Sequence, residues 1–227
     1  MTKEIVVAAY DKDLSWMDRL SSDVKRTIYR KGMRTENTNE VFIEPNLGRC
    51  VHSFFNHIYM NYDNLSDYTF FAQDFPFDHW ENLVEIINTT ISEDVVYQKF
   101  LSEHSTLTIG GYYGYHFNTI GSMWQMPLSQ QFGHGRVLAC LSNGHPHDHN
   151  PNIDVDKYWD ILFDHTKPNY YEFMPGGHFG ITKDHIRLRS RELYRKITEL
   201  LVDDQTSPWM IERLECYIFN SKYKTIL

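Results

Sequence analysis

Three things are scarce in this sequence. Cysteine occurs only at Cys50, Cys140 and Cys216, odd in number and widely spaced. That excludes a disulfide framework or a zinc ribbon and points to a reducing compartment. Long apolar runs are missing, since none approaches the roughly 18 residues of a membrane-spanning helix. The opening MTKEIVVAAY carries an apolar stretch too short for the h-region of a signal peptide, and Asp11 follows at once. Positive charge is also short, with 22 Lys and Arg against 30 Asp and Glu and a net charge of −8. That balance argues against a generic nucleic-acid-binding surface, which neutralises phosphates over a broad area, but leaves room for a local basic patch. No internal repeat, low-complexity tract or linker interrupts the chain. The expectation is a soluble, cytoplasmic protein with one domain over residues 1–227.

Aromatic residues are plentiful. The 227 residues include 15 Tyr, 14 Phe and 5 Trp, enough large side chains to build a core and still line a cleft. With 41% hydrophobic and 23% charged residues, the composition is that of a folded globular protein.

The first half of the sequence alternates between strand and helix patterns. Ile5 to Ala9 is a continuous β-branched and small apolar run, as expected of a strand buried on both faces. A helical pattern follows from Leu14 to Leu20, then short strands at Thr27 to Tyr29 and Val41 to Ile43. Apolar residues at 51, 54, 55, 58, 59 and 62 have helical spacing. Tyr68 to Ala72 reads as a strand and Trp80 to Asn88 as a helix. Gly110 to Gly135 holds no period. Further on, Asp156 to Phe163 reads as a helix, Phe179 to Thr182 as a strand, and Ile186 to Val202 and Pro208 to Phe219 as helices. The pattern predicts an α/β fold with a mostly parallel sheet flanked by helices, binding its ligand outside the carboxyl ends of the strands.

Six constellations could carry chemistry. Tyr10, Asp11 and Asp13 follow the first strand, where an aromatic and a carboxylate suit a base and a ribose; Asp13 equally suits a helix cap. In Asn46-Leu47-Gly48-Arg49 the glycine permits close backbone approach and the arginine suits a phosphate; the alternative is an ordinary turn. Asp74, Asp78 and His79 crowd a strand end, where hard oxygen ligands could hold Mg²⁺ or Mn²⁺; Asp78 equally caps the next helix. His145, His147 and His149 alternate in a loop that suits a metallohydrolase or a solvated segment. Gly176, Gly177 and His178 precede an apolar strand and allow close ligand approach. Glu212 lies in the first turn of a helix, where it could act as a general base or simply complement the dipole.

The segments VVAAYDKDLSWM, EPNLGRCVHSFFNHIYMNYDNL, YTFFAQDFPFDH, MPGGHFGITKDHI and SPWMIERLECYIF, in that order, resemble the DUF3431 family, whose members look like GT-A glycosyltransferases. The resemblance implies a single GT-A-like domain, with a nucleotide-sugar-binding half over 1–100 and an acceptor-binding, catalytic half over 101–227. It implies transfer of a hexose or pentose from a nucleotide sugar, with UDP as the expected nucleotide, to a hydroxyl acceptor. The acceptor is a glycan by default, or a hydroxymethylated base in phage DNA. Donor contacts fall on Tyr10, Asp11, Asp13, Asn46, Arg49, Gln73, Asp74, Lys183 and Arg187, and acceptor contacts on His79, Gly177 and His178. Glu212 is implied as the base of an inverting transfer. A divalent metal, Mn²⁺ or Mg²⁺, is implied at Asp74 and Asp78, although no Asp-x-Asp follows YTFFA. Lys183, Arg187, Arg189 and Arg191 are the alternative counter-charge for the diphosphate. Cys50 stands where the family usually carries an acidic residue. The competing functions are a non-catalytic nucleotide- or carbohydrate-binding protein and a metallohydrolase built on the histidine loop.

Overall fold

Ile5 to Ala9 are wholly shielded from solvent. A strand with two buried faces needs a layer of cover on each side, and its side chains divide between them with period two. Val6 and Ala8 enter one core, while Ile5, Val7 and Ala9 enter another on the opposite face. A computed structural model describes residues 1–31, 40–42, 46–78, 83–89, 95–100, 116–117, 123–127, 138–140, 154–168, 171–173, 178–219 and 223–227.

The strands are β1 (Lys3–Ala9), β2 (Val24–Arg30), β3 (Glu40–Phe42), β4 (Tyr68–Gln73), β5 (Val95–Phe100), β6 (His116–Phe117), β7 (Met123–Pro127), β8 (Leu138–Cys140), β9 (Tyr171–Phe173) and β10 (Phe179–Thr182). The helices are α1 (Arg49–Met60), α2 (Leu83–Asn88), α3 (Val155–Leu162), α4 (Lys183–Ile186), α5 (Arg191–Asp203) and α6 (Ser207–Ile218). Together they form an α/β unit around an open mixed sheet of order β3-β2-β1-β4-β10-β5-β7, with β6-β8-β9 as a smaller sheet. Helices α1, α3, α5 and α6 cover one face of the main sheet. Helix α2 and a 3-10 turn at Ser15–Arg19 cover the other. No helix among the described residues is long and apolar enough to cross a membrane.

The expected parallel sheet covers only part of what forms. β3, β2, β1 and β4 are parallel neighbours. β10 runs antiparallel between β4 and β5, and β5 pairs antiparallel with β7. The strand–helix alternation that enforces parallel crossovers belongs to the first half of the chain, and β5 and β7 fall where the sequence signals no strand. The helical pattern expected over residues 186–202 is interrupted as well. The Ser190 hydroxyl accepts the Leu193 N–H at 3.0 Å and so starts a new helix, α5. The pattern at Leu14 to Leu20 closes only as the 3-10 turn.

The order β3-β2-β1-β4 reverses direction at β1, so the carboxyl ends of β1 and β4 flank a topological switch point. In open α/β sheets this is where a crevice forms.

Candidate functional site

A cleft of about 520 Å³ opens at that switch point. Tyr10 reaches it from the end of β1, Gln73 from the end of β4, and Asn46 through Cys50 from the start of α1. The opposite wall comes from Leu201 and Val202 of α5, Gln205 of the connecting turn, and Pro208 and Trp209 of α6. The volume suits a small organic ligand. Its lining mixes two aromatic rings, three carboxamides, a few aliphatic groups and one guanidinium.

The turn Leu47-Gly48-Arg49 is the strained element. Gly48 has φ +64° and Arg49 φ +51°, two successive left-handed residues. At Gly48 the conformation coincides with close packing: a β-carbon there would lie 2.6 Å from the His52 Cβ and 2.7 Å from the Leu201 carbonyl oxygen. At Arg49 an L-residue bears the cost of that geometry. Its guanidinium lies 4.2 Å from the Trp209 ring centroid, joining the amino-terminal ends of α1 and α6 across the mouth of the cleft. Among the described residues no side chain caps α1, and its first turn carries no acidic residue, so the positive end of its dipole opens on the cleft.

Under the turn lies Lys31, 3% exposed. Its ammonium donates to the Leu47 carbonyl at 2.6 Å and to the Arg49 carbonyl. Burial lowers its pKa to about 8, against a smaller opposing effect of Cys50. Cys50 forms part of the floor, where its sulfur accepts a hydrogen bond from the Gln73 carboxamide at 3.3 Å. Burial pushes this thiol up, and the Glu212 carboxylate adds to the shift. Burial likewise raises the Tyr10 hydroxyl, with Cys50 and Asp74 adding to it, so Tyr10 is a neutral donor.

The carboxylate of Asp74 shapes the first loop. One oxygen accepts the backbone N–H groups of Tyr10, Asp11 and Lys12 at 2.7, 3.1 and 3.1 Å, and the other accepts that of Phe75 at 3.1 Å. The Trp16 indole fixes the same loop by donating to the Asp74 carbonyl at 2.8 Å. A carboxylate already holding four N–H donors, and 5% exposed, does not fit the role of a divalent-cation ligand. Among the described residues, no group of three or more His, Cys, Asp or Glu is arranged to hold a metal.

Tyr10, Asn46, Arg49 and Gln73 therefore meet in one cleft. Asp11 and Asp13 are exposed, and Asp13 accepts the Ser15 N–H at 3.0 Å and its hydroxyl just ahead of the 3-10 turn. Glu212 is half-buried one turn along α6 from the lining residues Pro208 and Trp209, close enough to act on Cys50. His178 is fully buried at the carboxyl edge of β4, just before Phe179 pairs with Phe71. His79, Gly177, His145, His147 and His149 lie outside the described residues, as does the side chain of Asp78.

The basic cluster expected at the diphosphate is elsewhere. β10 runs antiparallel to β4, so Thr182 pairs with Tyr68 and the chain leaves at the amino edge of the sheet, a strand length of about 17 Å from the cleft. There Lys183 pairs with Asp67. Arg187 donates to the carbonyls of Tyr62 and Asp63, and Arg191 to that of Tyr59, which places both cations at the carboxyl end of α1. Arg189 is buried and donates to the Ile218 and Tyr217 carbonyls at the end of α6. A run of charges in sequence carries no information about strand direction, and strand direction decides the edge they occupy.

Lys31, Gln205 and Trp209 line or support the cleft, yet none stands out as a site residue in the sequence. Trp209 had a usable signal, an aromatic beside Pro208 in a helix's first turn. Lys31 had none.

Fold and cleft together define an α/β protein with a cleft at the switch point of its sheet. The chain belongs to the DUF3431 family, described as a protein of unknown function, whose model matches residues 5–226. No curated protein and no solved structure matches it.

Proposed function

We propose that the protein is a cytoplasmic glycosyltransferase that binds a nucleotide-sugar donor, expected to be a UDP-sugar, in the switch-point cleft and passes the sugar to a glycan hydroxyl. The observation that carries this reading is the Arg49 turn. A guanidinium and an uncapped helix amino terminus lie beside two aromatic rings, which suits a diphosphate joined to a planar base or a sugar. The carboxamides of Asn46, Gln73 and Gln205 supply the paired donors and acceptors that hydroxyl groups require.

In the proposed step the acceptor oxygen attacks the anomeric carbon as its proton passes to Glu212. The bond from that carbon to the diphosphate oxygen breaks, and the nucleoside diphosphate leaves with the electron pair. Arg49 and the α1 terminus meet the charge that develops on the leaving group. Asp74, whose carboxylate already accepts four backbone N–H groups, does not fit a metal ligand for this step. The basic segment from Lys183 to Lys196 lies away from the cleft and lends no support to a DNA acceptor.

The test is a panel of nucleotide sugars, with and without Mn²⁺, read by thermal stabilisation and slow donor hydrolysis. One UDP-sugar is expected to stabilise the protein without Mn²⁺, with hydrolysis lost in E212Q. Absence of a response to every nucleotide would discard the transferase. Stabilisation without turnover, unaffected by E212Q, would favour a nucleotide- or carbohydrate-binding protein. The position of Glu212 behind the lining residues is the observation favouring that second reading.

A further inference from the structure

Arg49 holds a backbone conformation that costs an L-residue energy, so neighbouring structure must impose it. Two restraints meet at this turn. On one side the Gly48 backbone packs against Leu201 and His52 too closely for a side chain. On the other, the Lys31 ammonium bridges the carbonyls of Leu47 and Arg49, the residues flanking that glycine. Lys31 follows β2 directly and is itself anchored, its N–H donating to the Ala9 carbonyl at 2.8 Å. The bridge therefore ties the turn to the rigid end of the β1–β2 pair.

We propose that Lys31 is the positioning residue of the cleft: its ammonium holds the left-handed turn that presents Arg49, so anion binding weakens when that ammonium loses its proton. An amine without its proton keeps fewer hydrogens to bridge two carbonyls and loses the charge that strengthens both bonds. The bridge is then the weaker of the two restraints.

The groups against Lys31 are the Arg49 carbonyl, Cys50 and His52 of α1, with Tyr10 at the end of β1 and Glu212 of α6 reaching it through Cys50. Burial, and then Lys31 itself, holds His52 down at about 4. Burial pushes Cys50 and Tyr10 up. Among Lys31, His52, Cys50 and Tyr10, Lys31 is the group that changes charge between about pH 7 and about pH 9. Its pKa is lowered by folding, so its own contribution to stability rises as pH climbs from about 8 towards about 10. Anion affinity moves the opposite way across the lower part of that range, which separates positioning from general stability.

The proposal rests on the nucleotide reading for its ligand probe, UDP, but has a ligand-free readout as well. The first measurement is tryptophan emission of the wild type minus that of W209F, followed from about pH 7 to about pH 9 without ligand. A transition centred near 8 is expected as Arg49 leaves the Trp209 ring, and K31R, charged throughout, should lack it. The second is UDP affinity by calorimetry over the same range. It is expected to fall about tenfold in the wild type, equivalent to about 1.4 kcal/mol, and to stay level in K31R. Should K31R fail to fold, the wild-type titrations decide alone. A ligand-free signal and a UDP affinity that are both independent of pH overturn the proposal. A ligand-free transition without UDP binding at any pH supports the Lys31 bridge and overturns the nucleotide reading instead.

Discussion

Replacing Gly48 with alanine tests the packing logic of the cleft most directly. Two costs add. The residue sits at φ +64°, where an L side chain costs about 1–2 kcal/mol. The new methyl would also lie 2.6 Å from the His52 Cβ and 2.7 Å from the Leu201 carbonyl oxygen. Neither neighbour is the free end of a flexible side chain: one is the root of a side chain on α1, the other the backbone of α5. Relief requires α1 and α5 to part, and overpacking of this kind costs about 1–3 kcal/mol. The expected loss is about 2–5 kcal/mol, a large share of the roughly 5–15 kcal/mol that holds a domain together. Urea unfolding followed by far-ultraviolet circular dichroism reads it. With a slope of about 1–3 kcal/mol/M, the midpoint should fall by at least about 0.7 M at an unchanged slope. UDP binding should weaken as well, because the same displacement carries Arg49 away from Trp209. A stability within about 0.5 kcal/mol of wild type would refute the assigned packing of the turn.

Arg49→Gly separates stability from binding: relief of the left-handed strain offsets the lost contact with Trp209, leaving stability within about 1 kcal/mol of wild type. UDP affinity should nonetheless fall about tenfold or more by calorimetry, and an unchanged affinity would remove Arg49 from the site. Asp74→Ala strips the acceptor from four backbone N–H groups and should cost about 2–4 kcal/mol in urea unfolding. Faster hydrogen exchange at Asp11 and Lys12 is its local signature. Acid should destabilise the protein through its buried histidines. Burial, then Lys31, lowers His52 to about 4, and burial, partly opposed by Glu4, does the same to His57. The unfolded chain takes up these protons first, so stability falls as pH drops from about 6.5 to about 4. The share of His52 is about 3 kcal/mol, and His52→Leu should flatten the slope by that amount in unfolding at several pH values.

The first layer of this fold is legible in residue type and spacing. Ile5 to Ala9 read as a strand covered on both faces and the spacing of Val51, Phe54, Phe55 and Ile58 as a helix, and both form, with the helix packed in the core that Val6 and Ala8 enter. From these came the loops that meet in the cleft, so Tyr10, Asn46, Arg49 and Gln73 were legible as neighbours. Periodicity works here because burial is a local property of a repeating backbone.

Tertiary structure decided what periodicity does not encode. β10 runs against β4, and that direction carried Lys183, Arg187 and Arg191 to the edge of the sheet away from the cleft. Asp74 looked like a metal ligand because a carboxylate at a strand end is chemically competent. It became a clamp because the N–H groups of residues 10–12, more than sixty positions earlier, turn towards it. Trp209 and Lys31 joined the site from an α6 terminus and a β2 end that only the folded chain brings beside Arg49. Residue type and spacing state what a side chain can do, whereas direction and long-range approach decide what it touches.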